Sequence, residues 1–391
     1  MKQILPKLKA IFKHLSFVKK AFTKGGFRHV TQYINGLITL NKKTIKKISE
    51  ASVEEKHHSA LNRVLSESKF KQTELEDRYL KKIDYLTRGY ETSLLLDDTL
   101  VKREGKKVEE TQSHKVHSGD DDYLLGHQFF TSVIYTSVLQ LPLFPILYSK
   151  NTDSKIQMAL DLFDRVNLKV DLDTVIMDSW YSDKKLINKI ITKKVKVVCA
   201  IKTNRSISMK EGEWEPLLDF SKKVKGKEFA VTYANNKKYK TANFTPKLKG
   251  IPKVKMIISY EWNKKQKQWN GPRHFISTKI QDTSEKIIRE YSIRWFIETF
   301  HRDIKQNLGF AKTYLRKKEG IVRHAIFTTL AYAILKLFMF FRGINITVGE
   351  CCNHIQNIGM DDFLMEIVEI EDKNTRIKRF QEEFISKTAK L

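Results

Sequence analysis

Cysteine is scarce in this chain: Cys199, Cys351 and Cys352 are the only three in 391 residues. At those spacings they build neither a disulfide framework nor paired zinc ligands, and they fit a reducing, cytoplasmic setting. The Cys351-Cys352 pair with His354 reads as packing rather than a metal site. Acids are missing from one stretch altogether: no Asp or Glu precedes Glu50, although Lys and Arg are frequent there. Long apolar runs are missing too. Residues 325–341 come closest, but Lys336 interrupts them and the run is short for a bilayer. It reads as a buried helix, and no membrane partner is expected. Residues 1–22 mix lysines with apolar side chains throughout, so no secretory signal is expected. The sequence also has no Gly-x4-Gly-Lys-Ser/Thr loop, so no nucleotide cofactor is implied.

Positive charge is what the chain has in excess. Against 45 acids stand 72 Lys and Arg, a formal charge of +27, with a pI near 9.7. Such an excess implies a polyanionic partner, nucleic acid first and an acidic membrane surface second. The length suffices for two or three domains with a sizeable core.

The first 88 residues read as short basic helices joined by tight turns. Ile4, Leu8, Ile11, Leu15, Val18 and Phe22 recur at helical spacing, and Gly25-Gly26 is expected to end that helix. A second helix is expected over 42–50 with Asn41 as N-cap, and a third over 59–65. This is either a DNA-binding domain or a helical oligomerisation domain with a solvated basic face; the missing acids favour DNA.

From Thr92 the pattern changes. Leu94-Leu95-Leu96 reads as a buried strand ending in Asp97-Asp98-Thr99, and residues 123–148 read as two more strands. A helix over 155–168, a strand at 174–177 leading into Asp178, a helix over 184–192 and a buried strand over 195–201 follow. Strands first, then helix alternating with strand, is an α/β arrangement. Residues 206–283 interrupt it with alternating apolar positions and lysine-rich turns, the pattern of an antiparallel β-rich insertion. The domains expected are thus 1–88, then 89–205 with 284–345, the insertion at 206–283, and a helical tail over 346–391 suited to dimerisation.

After the insertion comes a helix with two dissimilar faces. At about 100° per residue, Tyr291, Arg294, Glu298, Arg302 and Lys305 fall within about 80° of arc. Ile293, Phe296, Ile297, Phe300, Ile304 and Leu308 face the other way. A plain surface helix with an Arg294–Glu298 pair would look similar. Asp98 and Asp178, however, stand at the ends of buried strands, where a carboxylate costs desolvation unless it is paired or binds a metal. Asp97 and Asp98 point to opposite faces of their strand, so one of them readily joins a pocket. Carboxylates gathered in one pocket repel one another, and divalent cations relieve that repulsion while polarising a phosphodiester. Oxygen-only ligation favours Mg²⁺ or Mn²⁺ over zinc.

These residues resemble a known family, the DDE insertion-sequence transposases, whose signature is Tyr-x2-Arg-x3-Glu-x6-Lys. Tyr291, Arg294, Glu298 and Lys305 match it in type and spacing. Leu-Leu-Asp97-Asp98-Thr and Ile-Met-Asp178-Ser-Trp-Tyr resemble the family's two Asp motifs, and the stretch from Gly36 through Leu65 resembles its DNA-binding region. The likeness spans most of residues 30 to 340. It implies an α/β fold: a ribonuclease-H-like mixed sheet with flanking helices, interrupted by the β-rich insertion, plus the N-terminal helical domain. It implies that Asp98, which directly precedes the Thr as in the family, holds two Mg²⁺ (or Mn²⁺) ions together with Asp178 and Glu298. Tyr291, Arg294 and Lys305 would grip phosphates at the transposon end, with Arg302 a weaker addition. Trp269 is the candidate for stacking a flipped base. The partners implied are double-stranded DNA, both transposon ends and target, and a second copy of the chain in the DNA complex. The setting implied is the prokaryotic cytoplasm at the nucleoid. The activity expected is cut-and-paste transposition; a metal-dependent nuclease without strand transfer and an inactive DNA-binding inhibitor are the alternatives.

Overall fold

The computed structural model describes residues 13–52, 58–67, 70–104, 107–115 and 123–368. The part of the expected helical tail beyond 368 and the first apolar positions of the chain lie outside them.

The N-terminal part holds a 3₁₀ turn, Ser16–Ala21, and four helices: α1 (Lys24–Thr39), α2 (Ile45–Ala51), α3 (His58–Ser66) and α4 (Gln72–Thr87). Gly25-Gly26 does not end a helix, contrary to expectation. Both glycines sit in the first turn of α1, where Gly26 N–H donates to the N-cap Thr23 Oγ1 at 3.1 Å. A side-chain cap supplies the missing acceptor there, which outweighs the poor helix propensity of glycine. Likewise Thr44, not Asn41, caps the second helix, by accepting from Lys47 N–H.

The rest is built on an eleven-stranded mixed sheet. One half of it, running to the β2 edge, comprises β1 (Ser93–Lys102), β2 (Gln112–Lys115), β3 (Tyr123–Tyr135), β4 (Gln140–Pro142) and β5 (Ile146–Tyr148), then β6 (Thr174–Met177) and β7 (Lys196–Ala200). Strand β1 runs antiparallel to β3 and parallel to β6, and β6 runs parallel to β7. Helices α5 (Lys155–Asn167) and α6 (Lys184–Thr192) make the crossovers. Leu94, Leu95 and Leu96 are all fully buried, as a central strand covered on both faces requires. Contrary to expectation, β1 does not stop at the acids: the strand continues six residues beyond Leu96, to Lys102.

The β-rich segment contributes β8 (Ser206–Ser208), β9 (Glu215–Pro216), α7 (Leu217–Lys223), β10 (Ala230–Ala234), β11 (Lys237–Phe244), β12 (Lys247–Leu248), β13 (Ile251–Lys253), β14 (Lys255–Asn263) and β15 (Gln268–Ser277). Strands β10, β11, β14 and β15 extend the main sheet in that order through the β15–β7 pair, while β13, β12, β8 and β9 form a separate sheet. Met256, Ile257 and Ile258 are buried, whereas Val231 and Tyr233 face solvent. Trp262 is half-buried against Trp269 across the hairpin.

Four helices close the fold: α8 (Ser284–Ser292), α9 (Trp295–Asn307), α10 (Lys318–Arg342) and α11 (Val348–Val368). Helix α10 is long and apolar enough to cross a membrane, but it is largely buried and packs against α1, α3 and α11. It is the expected buried helix. The whole is the mixed α/β arrangement with flanking helices and an N-terminal helical part that the motifs led us to expect.

Candidate active site

Neighbouring side chains on a strand point to opposite faces, and β1 uses this at Asp97 and Asp98. Asp97 stands opposite Thr131 on β3 and points toward α9. Its Oδ2 accepts from Arg294 Nη1 at 2.7 Å, and the second guanidinium nitrogen of Arg294 donates to Glu298. One cation therefore bridges two carboxylates. Asp98 points to the α5 face, where Lys155 holds it in an ion pair, Tyr181 Oη donates at 3.2 Å and Gln128 Nε2 donates at 3.0 Å. Asp178 follows β6, and its Oδ1 accepts from the backbone N–H of Trp180 at 2.9 Å and of Tyr181 at 3.3 Å. This short polar turn locks the carboxylate just past the strand end.

The electrostatics of Asp97 follow from that geometry. Burial pushes its carboxyl up to about 7; Arg294 pulls the other way, while the nearby Asp178 and Asp98 add to the rise.

The expected trio was Asp98, Asp178 and Glu298. The structure instead puts Asp97 beside the Arg294–Glu298 pair, and Asp98 on the opposite face with a lysine of its own. Alternation along β1 is the reason, because a single residue step changes the face. Among the described residues no three His, Cys, Asp or Glu side chains stand close enough to hold a metal ion together. Arg294 lies between two of the carboxylates.

The helix expected to run unbroken through Tyr291 and Lys305 is two helices. Between α8 and α9, Ile293, Arg294, Phe296 and Ile297 N–H groups donate to carbonyls three residues back. That tighter winding advances the chain by about 120° per residue, so the calculated 80° arc does not hold across the junction. The break starts α9 at Trp295, with Arg294 as its N-cap residue. Trp295 and Phe296 are exposed, although Phe296 was expected to face inward.

The other signature residues spread along this junction. Tyr291 packs on Phe275, 4.5 Å between ring centroids, and its hydroxyl bonds Arg294. Burial pushes that phenol up to about 12. Lys305 donates to the Leu100 carbonyl at 3.0 Å, and burial lowers its pKa. Arg302 is half exposed beside Asp303. Trp269 is not brought to the carboxylates: it lies near the far end of β15, six residues before Phe275, with Lys238 and Lys240 over its ring. His301 of α9 supports the Asp97 strand from behind: its Nε2 lies 2.7 Å from Thr131 Oγ1, which donates to the Asp97 carbonyl at 3.1 Å.

Sequence reasoning missed Lys155 and Tyr181. A lysine in the first turn of a helix is disfavoured by the helix dipole, so Lys155 at the start of α5 was a sign that an anion waits nearby. Tyr181 was visible in the Asp178 motif, but nothing local told that its hydroxyl reaches back to β1.

Residues 88–334 match the family model described as a transposase DDE domain, and residues 18–122 match one described as a DDE superfamily endonuclease. Among solved structures, the chain is similar to the piggyBac transposase synaptic complex with hairpin DNA, seen by cryo-EM. The identity is 9% and the TM-score 0.45, over 96% of this chain and 81% of that one. No curated protein matches the chain.

Proposed function

The chain belongs to the transposase DDE domain family, and we propose that it is a DNA transposase that cuts its own element at the ends and joins it to target DNA. The observation that carries this is the gathering of Asp97 and Glu298 on one guanidinium, with Asp178 near enough to raise the Asp97 pKa. The donors are all carboxylate oxygens, a chemistry that fits Mg²⁺ or Mn²⁺. Asp97, Asp178 and Glu298 would hold the ions, two in the family's pattern. When bound, the ions supply Lewis-acid stabilisation of the charge developing on phosphoryl oxygens.

The chain's own residues do the rest. Arg294 serves as counter-ion to Asp97 and Glu298 in the free protein and passes to a DNA phosphate when substrate enters. Its fork geometry suits both partners. Tyr291 steadies that guanidinium, and Lys305, held on the β1 backbone, presents a second cation to the strand. Lys155 pairs with Asp98 and so offsets part of the charge that this second acid places next to Asp97. The reaction is attack by water on the phosphodiester at the element's end. A new P–O bond forms, the P–O3′ bond breaks, and the leaving 3′-oxygen takes up a proton. The freed 3′-hydroxyl then attacks a target phosphodiester: a new P–O3′ bond joins element to target, the target's own P–O3′ bond breaks, and the leaving 3′-oxygen takes up a proton as the attacking hydroxyl loses one. Two ends react together, so the working form is a homodimer on paired double-stranded ends.

The test uses the purified full chain, Mg²⁺ and linear duplex carrying the element's own flanking sequence with a target plasmid. End cleavage with joined product supports transposition. Cleavage without joining reassigns the protein as a nuclease, and binding without cleavage reassigns it as an inhibitor. Asp178→Asn is expected to abolish cleavage while binding persists; normal cutting by that variant removes Asp178 from the site.

A further inference from the structure

A groove of about 900 Å³ lies between the α1–α2 turn, the end of β1 and the segment after α9. Lys42, Lys43, Lys102, Lys107, Lys312 and Arg316 line it, and among the described residues Glu104, paired with Lys102 at 3.3 Å, is the one carboxylate in its lining. A seventh cation, Arg103, is buried in its floor. Its guanidinium donates to His127 Nδ1 at 3.1 Å and to the carbonyls of Ala311 at 2.9 Å and Thr313 at 3.4 Å. Those acceptors are neutral, so they orient the charge without cancelling it. Burial holds Lys43 down at about 8, and the nearby Lys312 acts in the same direction. Cations crowded this way repel one another, and a polyanion relieves that repulsion.

A second feature narrows the partner. Tyr314 lines the same groove and is 87% exposed. An uncovered aromatic ring among lysines offers a stacking face for a base while the cations take phosphates. Position adds a third feature. Lys102 is four residues past Asp98 on β1 and five past Asp97. At about 3.3 Å per residue that is about 13–17 Å, the span of about four or five nucleotides at 3.4 Å each. Lys305, bonded to Leu100, lies between the two places.

We propose that this groove holds the backbone of a DNA strand about four or five nucleotides from the reacting phosphate, with Tyr314 stacked on a base. The assignment rests on the function proposed above and extends it. Lys42 and Lys43 come from the N-terminal helices and Lys102 from the catalytic sheet, so one strand segment would tie the two parts into a single footprint.

The test is salt-dependent binding of a fluorescent duplex to the full chain, from about 50 to about 200 mM salt. Lys42→Gln, Lys102→Gln, Lys312→Gln and Arg316→Gln are combined in one variant. The control removes the same charge elsewhere: Lys81→Gln, Lys169→Gln, Lys193→Gln and Lys194→Gln, all exposed side chains. The groove variant is expected to flatten the slope of log affinity against log salt by about 3 or more, at about 0.9 per phosphate lost. The control is expected to change it by less than about 1. Equal changes in the two variants overturn the groove while leaving the transposase assignment standing. A wild-type chain that binds no duplex overturns both. Tyr314→Ala is expected to weaken binding of a single-stranded oligonucleotide about tenfold, and unchanged binding removes the stacking role. Photo-cross-linking of the wild-type chain to 5-iodouracil-substituted DNA gives a readout that no folding defect can blur. Adducts are expected on Tyr314, and their absence overturns the placement.

Discussion

Between α1 and α10, Tyr33 Oη donates to His324 Nδ1 at 2.8 Å, and the other ring nitrogen of His324 lies 3.2 Å from the Gly309 carbonyl. On the central sheet, Asp97 and Glu298 share one guanidinium while Asp178 and Asp98 stand close by. Both places bury a titratable group, and they settle it in opposite ways. His324 has a partner for each nitrogen and stays neutral, with burial holding it down at about 4. Asp97 is buried beside two further acids, and burial first, then Asp178 and Asp98, pushes it up to about 7 against the pull of Arg294. A packed junction satisfies its polar groups from within, whereas the carboxylate pocket gathers several acids around one guanidinium, an arrangement that cations would relieve.

The sharpest way to break that contrast is to separate the adjacent acids. Asp97→Asn is expected to lower end cleavage on the order of a thousandfold, since metal stabilisation amounts to several kcal/mol and each 1.4 kcal/mol or so is tenfold. Asp98→Asn, which gives up the ion pair to Lys155 and weakens the bonds from Tyr181 and Gln128, is expected to cost about tenfold or less. Single-turnover cleavage of end duplex measures both. The reverse order would make Asp98 the metal-facing acid and turn the Arg294 bridge into a resting contact.

Much of this was legible before any coordinates. The α5–β6–α6–β7 run reads from apolar periodicity because each helix also carries a side-chain cap, Ser154 for α5 and Asp183 for α6. Glu298 and Arg294 read as a pair because their spacing is local. The choice between Asp97 and Asp98 did not read, because alternation says that they diverge but not which face α9 covers. That is decided by Arg294, 197 residues further along the chain. The extension of β1 through two acids was hidden for the same reason: Lys155 and Arg294 neutralise them from remote segments. The break between α8 and α9 has no Pro or Gly to announce it, only 3₁₀ hydrogen bonds around Ile293-Arg294.

On the packed side of the comparison, Tyr33→Phe removes one hydroxyl and leaves His324 Nδ1 buried without a donor. Leaving a buried acceptor unmade costs about 1–3 kcal/mol, measured as a shift in urea unfolding at neutral pH. DNA cleavage by the folded variant is expected to be unchanged, because neither residue contacts the carboxylates. A shift near zero would mean that water or another group replaces the hydroxyl, and that the junction is less closed than its geometry indicates.

The smallest expected effect is a pH dependence with a defined sign. His324 titrates lower in the folded chain than in the unfolded one, so the unfolded chain binds more protons between pH 4 and 6.5. Its contribution to stability is whole above that window and is lost as the pH falls through it. Asp97, raised in the folded chain, runs the other way: the folded form takes up its proton first, so acidification from about 7 favours folding. The two trends oppose each other in the wild type, and a substitution unmasks one of them. His324→Gln keeps a polar side chain but cannot titrate, so it is expected to be less stable than wild type at pH 7.5 and to close that gap on acidification. The closing rate is at most about 1.4 kcal/mol per pH unit for one proton. Urea midpoints for both proteins at several pH values below 7 measure it. A gap that stays constant with pH would show that the ring does not resist protonation, and the contrast between the neutral junction and the charged pocket would rest on Asp97 alone.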